Sequence, residues 1–258
     1  MNRLNRWLNV LGLAFALGVN GLAVMGRLGG ATTEELSEKH PSMVAPADYA
    51  FSIWSLIYAL SIGFVVYSFT DAGKRSNAVQ AIGSCFFLSC LLNGSWLVAW
   101  HYEELYVSLA IMLALLLAVG TTYAIAKSRD NGALTTGERW WVVLPFSVYL
   151  GWLCVAATVN LDIVLRAAEW DRFGLYETSW SIVLLIAAAL AGLQIGRRYA
   201  DAPLLLAVVW ALAAVYVSQR ELEATVSNTA LACAAVLFLC AVLLLLRTGR
   251  KRHSVHIA

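Results

Sequence analysis

The chain has 258 residues, of which 60% are apolar and only 13% charged, about half the usual share, with a mean hydropathy of +0.72. So much apolar surface has nowhere to go in a water-soluble domain, and it excludes a disordered chain as well. A net charge of +2 leaves no basic footprint for nucleic acid. A membrane span uses about 20 apolar residues, so eight spans use roughly 160, close to the apolar total. The fold class expected is an all-α, polytopic transmembrane helical bundle.

Apolar runs between charged breaks predict eight spans in chain order: Trp7–Met25, Tyr49–Phe69, Ala78–Trp100, Leu105–Ala126, Trp140–Leu165, Thr178–Ile195, Ala202–Ser218 and Ser227–Leu246. The runs are continuous rather than alternating, which excludes a β-barrel. The first run follows Arg3 and Arg6 but is long, and no small-residue cleavage site closes it, so it reads as a span and not a secretory signal. The seventh opens at Pro203, tolerated in a first helical turn, and carries Trp210 in its middle. Cys85, Cys90, Cys154, Cys233 and Cys240 all fall inside apolar runs with no metal-type spacing, and read as packing residues.

With both termini in the cytoplasm, thirteen of the eighteen Lys and Arg fall inside, and most acids fall outside. The Arg250-Lys251-Arg252 cluster reads as an inside anchor facing anionic lipid. Most connections are short. The first outer loop, Gly26 to Ala47, is long, with Gly29-Gly30, Pro41 and Pro46, and reads either as a solvated linker or as a lid.

Polar side chains in lipid need a partner or a cavity. The second span carries Trp54 and Tyr58 one turn apart. The third carries Ser89, Asn93, Trp96 and Trp100 on one face, and the fifth Tyr149, Trp152, Ala156 and Asn160 on one face. All three stripes fall in the outer half of the membrane. Two readings fit the spacing: interfacial aromatics with interhelical amide bonds, or an aromatic pocket beneath the long loop for a flat hydrophobic ligand with polar edges. Asp162 is the single acid inside an apolar run and reads as an interfacial acid near the outer end.

These stripes resemble the TspO/MBR family, the tryptophan-rich sensory proteins. Trp54-Ser55-Leu56-Ile57-Tyr58 is similar to the family's second-helix Trp-x-Leu-x-Tyr, and Leu92-Asn93-Gly94-Ser95-Trp96 to its third-helix Leu-Asn-x-x-Trp. Tyr149, Trp152, Ala156 and Asn160 match the fifth-helix spacing. The chain departs from the family at Ser89, where a Gln is usual, and at the fifth-helix Tyr, where the nearest Pro is Pro145. The stretch from Val159 to Arg166 has no Tyr, so it lacks the family's sterol-type motif, while Val119, Tyr123 and Lys127 fit that loose pattern only on the fourth helix. The resemblance covers residues 1–165, a five-helix bundle. Residues 166–258 form a three-helix extension without counterpart there, and its sixth-span stripe Ala188, Gly192 and Gly196 predicts tight packing.

The resemblance implies a binding and sensing or transport protein for tetrapyrroles or similar flat ligands. Its ligand-binding residues would be Trp54, Tyr58, Asn93, Trp96, Tyr149, Trp152, Ala156 and Asn160. No catalytic or metal-binding residues are expected. His40, His101, His253 and His256 all read as outside the membrane core, which disfavours acid–base or haem-ligating chemistry. The alternatives are a membrane enzyme that degrades porphyrin, a secondary transporter of a small solute, and a mainly structural protein. No cofactor is expected beyond a tetrapyrrole as ligand. The expected partners are a hydrophobic small molecule, the bilayer and a second copy in a homodimer. The expected location is a cell membrane, of the bacterial inner-membrane type.

Overall fold

A computed structural model describes residues 1, 3–128 and 134–255. The side chains of Arg129, Arg250, Lys251, Arg252, His253 and His256 lie outside the described residues. The elements are α1 (Arg3–Val24), α2 (Thr33–Lys39), a 3₁₀ turn (Asp48–Ser52), α3 (Ile53–Phe69), α4 (Asp71–Arg75), α5 (Asn77–Ile82), α6 (Cys85–His101) and α7 (Leu105–Ser128). They continue with α8 (Thr136–Glu138), a π-helical turn (Arg139–Val143), α9 (Leu144–Ala167), a second 3₁₀ turn (Arg172–Gly174), α10 (Glu177–Arg198), α11 (Ala202–Gln219) and α12 (Ala224–Val255).

Among the described residues, seven helical segments are long and apolar enough to cross a membrane: Arg3–Val24, Asp48–Phe69, Leu105–Ser128, Thr136–Ala167, Glu177–Arg198, Ala202–Gln219 and Ala224–Arg247. The expected third span, Ala78–Trp100, is not one helix. Gly83, at φ 55° and ψ −120°, ends α5, and α6 restarts at Cys85. The reason is local: glycine enters positive φ without a Cβ clash. The carbonyl freed at the break accepts a bond from the Asn9 side-chain amide of α1 at 3.2 Å. At 17 residues, α6 is about 25 Å long, just short of a full span.

Helix α9 also begins irregularly. Leu144 donates to Arg139 five residues back, closing a π turn immediately before Pro145, which has no N–H to continue a regular ladder.

The chain forms two compact units, each discontinuous in sequence. Unit 1 comprises Met1–Ser42, Phe51–Leu150 and Val159–Trp170. Its centre holds Phe64, Phe86 and Phe146, at most 1% exposed and set edge to face with centroids 4.9–5.9 Å apart. Helices α1 and α6 meet through reciprocal small-against-large pairs. A Cβ on Gly12 would fall 2.7 Å from the Phe87 ring, and one on Gly94 would fall 2.4 Å from the Phe15 ring.

Unit 2 comprises Met43–Ala50, Gly151–Thr158 and Asp171–Ala258. Compared with a division at residue 165, two earlier segments therefore pack with the later helices. The Ala188, Gly192 and Gly196 stripe is buried, with Gly192 against Val208 and Gly196 against Leu205 of α11. Gly151, in the first half of α9, lies where a Cβ would meet the Leu204 carbonyl at 2.5 Å. The Met43–Ala50 segment is fastened to α11: the Ala47 amide donates to the Ala214 carbonyl at 3.1 Å, and the Trp210 indole donates to the Ala50 carbonyl at 3.1 Å. Tyr49 meets Trp210 edge-on at 5.4 Å.

Candidate functional site: an aromatic ladder under a fastened loop

Helix α3 presents Trp54 and Tyr58 one turn apart. Helix α6 presents Asn93, Trp96 and Trp100 at i, i+3 and i+7, one face of the helix. In unit 1 these faces meet. The Trp54 ring is stacked on Tyr58 at 5.8 Å and on Trp96 at 5.9 Å, with interplanar angles of 25° and 28°. Trp96 is stacked in turn on Trp100 at 6.3 Å and 19°. Tyr149 from α9 meets Trp54 edge-on at 5.7 Å. Every one of these side chains is at most 9% exposed, so the rings pack directly on one another.

The polar atoms of this ladder are few. The Tyr58 hydroxyl donates to the Asn93 amide oxygen at 2.9 Å, and Tyr149 interacts with the same Asn93 side chain. The Asn93 amide nitrogen nonetheless has no hydrogen bond of normal geometry. Neither do the indole nitrogens of Trp96 and Trp100, and all three atoms are buried.

The top of the ladder is covered by the first loop. Its helix α2 opens with a capping box in which Thr32 and Glu35 satisfy each other's backbone amides. Gly29, at φ +66°, passes so close to the end of α6 that a Cβ would fall 2.1 Å from the His101 carbonyl. His40 meets Trp100 edge-on at 5.9 Å. Lys39 and His40 both bond the Glu103 carboxylate, the latter at 3.2 Å. The Lys39 ammonium, with His40 adding to it, holds the Glu103 carboxyl below the usual carboxylate range. Farther along the loop, Ser42 donates to Asp162 at 2.7 Å, and Arg166 pairs with the same oxygen at 2.9 Å. Asp162 is therefore a 1%-exposed anchor for the loop rather than an interfacial acid facing water.

Of the residues expected from the sequence, Trp54, Tyr58, Asn93, Trp96 and Tyr149 come together in unit 1. Asn160 does not join them; it is bonded to Ser108 of α7 at 3.3 Å, an interhelical tie. Trp152 and Ala156 belong to unit 2, Trp152 buried and Ala156 half-buried. Ser89 is buried and bonded to the Phe86 carbonyl within its own helix. Trp100 joins the ladder although it stands outside the expected ligand-binding set; its signal in the sequence is its place on the Asn93 and Trp96 stripe. His101 is the residue expected outside the membrane core, at the end of α6. The structure buries His101 to 2% exposure beneath the loop, with its Nδ1 2.8 Å from the Leu97 carbonyl and its Nε2 near Thr33. Among the described residues no three His, Cys, Asp or Glu side chains are grouped to hold a metal ion.

Comparison with the whole chain matched no curated protein and no solved structure. A family model described as TSPO-like protein matches residues 6–243. The match runs well past residue 165, so the helices read above as an extension without counterpart fall largely inside it. Together with the seven long apolar helices, it makes the chain a multi-pass membrane protein, and the chain belongs to the TSPO-like protein family.

Proposed function

We propose that this protein binds flat, hydrophobic molecules of the tetrapyrrole class and serves in their sensing or transport, without catalysing their breakdown. The observation that carries the reading is the ladder of four stacked, buried rings, Trp100, Trp96, Trp54 and Tyr58, set beneath a loop fastened over its end. A planar aromatic ligand can exchange places with ring-on-ring contacts of this kind at little cost in dispersion or desolvation. Trp54, Tyr58, Asn93, Trp96 and Tyr149 are the residues assigned to the site. Family membership supports a membrane ligand-binding or transport role, and the tetrapyrrole class follows from the resemblance of the three motifs.

In the proposed topology α6 counts as an eighth span and both termini lie in the cytoplasm. The loop-covered end of the ladder then lies toward the outer face of a cell membrane, of the bacterial inner-membrane type, and a homodimer is the proposed assembly. The test is titration of the purified chain with a porphyrin, followed by tryptophan fluorescence. Saturable quenching that is lost on Trp96→Ala is expected. Quenching that is linear, or unchanged in that variant, overturns the proposal.

A further inference from the structure

We infer that the ligand of this ladder is recognised through hydrogen-bond acceptors along one edge, and that a flat ring lacking acceptors is rejected. The inference rests on the proposed function and names the chemistry that site selects.

On one face of α6 the buried indole N–H groups of Trp96 and Trp100 are left without partners, and in line with them lies the Asn93 amide, which Tyr58 and Tyr149 engage. Buried donors are nearly always satisfied, because an unmet one forfeits its hydration without return. Two on successive turns, in line with the Asn93 amide, are therefore a pattern. At 1.5 Å per residue the row spans about 10 Å of the helix axis, comparable to one side of a planar macrocycle.

The row is also of one kind. An indole N–H only donates, and the Asn93 oxygen, the one acceptor among these three side chains, is already taken by Tyr58. Neighbouring polar groups do not complete it. His101 is engaged with the Leu97 carbonyl and Thr33, and Ser89 with its own helix. The complementary edge is one that accepts: carbonyl or carboxylate oxygens. No cation is part of the row, since Lys39 and His40 are occupied by Glu103. The row therefore reads acceptor atoms rather than charge, and a neutral ester serves as well as an acid.

The experiment compares three porphyrins on the full-length protein in detergent: a dicarboxylic acid, its dimethyl ester, and an alkyl-substituted ring without oxygen. The expected result is that acid and ester bind alike and about tenfold or more tighter than the alkyl ring, the order of magnitude that satisfying one or two buried donors supplies. Trp96→Phe and Trp100→Phe, which keep a ring and remove only the donor, are expected to narrow the ratio between acid and alkyl ring by about threefold each. Equal affinity for all three overturns the inference and leaves the proposed function standing. An ester that binds like the alkyl ring overturns it too, because charge is then what is read. Failure of all three to bind overturns the proposed function and this inference with it. Where a variant does not fold, the comparison on the unmodified protein decides.

Discussion

The Tyr58 hydroxyl and the Asn93 amide oxygen lie 2.9 Å apart and tie α3 to α6 directly beside the stacked Trp54 and Trp96. The bond is buried at both ends, with Tyr58 9% and Asn93 2% exposed. Removing the hydroxyl leaves the amide oxygen without a donor, so Tyr58→Phe is expected to cost about 1 kcal/mol of stability. Thermal unfolding in detergent measures it. An unchanged Tm would show that the pair contributes no net stability.

Trp96 stacks on both Trp54 and Trp100. Truncating it to Ala removes the middle ring of the ladder, and the expected loss is about 3 kcal/mol or more, as for other large-to-small changes in packed cores. Trp96→Phe is expected to retain most of that stability. Unfolding midpoints of the two variants, compared with the parent, test the assignment of the ring to the core of unit 1.

The Lys39–Glu103–His40 cluster ties the loop to the turn after α6. The Glu103 carboxyl is held below its ordinary value near 4.5 by Lys39 first and His40 after it. The stabilisation is therefore fully present above that ordinary value, and it is lost as pH falls through the depressed one. Loop proteolysis is expected to accelerate on acidification below about pH 4.5 in the parent protein, and Glu103→Gln is expected to show the faster cleavage already at neutral pH. A loop cleaved at the same rate in both proteins at pH 7 would remove the latch.

Gly29 runs at φ +66° with its Cα against the His101 carbonyl. An alanine there is strained by its backbone angle and also clashes with the carbonyl, a contact that cannot be relieved by rotating a side chain. Gly29→Ala is expected to cost about 1–3 kcal/mol locally and to raise hydrogen exchange across α2, while Gly30→Ala, with nothing within 4 Å of its Cβ, is expected to pay only for its own φ of +82°. Exchange that rises equally in both variants would argue against the close approach.

In unit 2, Trp210 donates its indole N–H to the Ala50 carbonyl and packs edge-on against Tyr49. Trp210→Phe keeps the ring and loses the donor, with an expected cost of about 1 kcal/mol. Faster amide exchange confined to residues 43–50 is the expected signature, and exchange unchanged there would show that the segment is held by the Ala47 to Ala214 bond alone.

Much of this protein is written in its sequence because lipid imposes a simple requirement: each crossing segment must satisfy its own backbone and show apolar side chains outward. The helical class, the long apolar helices and the short loops follow from that local rule. The faces of α3 and α6 were legible as well, because the 3.6-residue period fixes which side chains share a face. The Trp54, Tyr58, Asn93 and Trp96 set could therefore be read before any packing was known.

What the tertiary structure decided is where those faces go. Spacing places Trp152 and Ala156 on the same stripe as Tyr149, and that stripe is shared out between the units, Tyr149 in unit 1 and Trp152 and Ala156 in unit 2. Asn160 could have joined the ladder, but Ser108 on a neighbouring helix satisfies it. His101 and Asp162 look exposed from their positions near span ends. They are buried because a loop distant in sequence folds over them and supplies Thr33 and Ser42 as partners. Periodicity is a property of one helix, whereas burial, pairing and orphaned donors belong to contacts between segments far apart in the chain, and only the folded protein sets those.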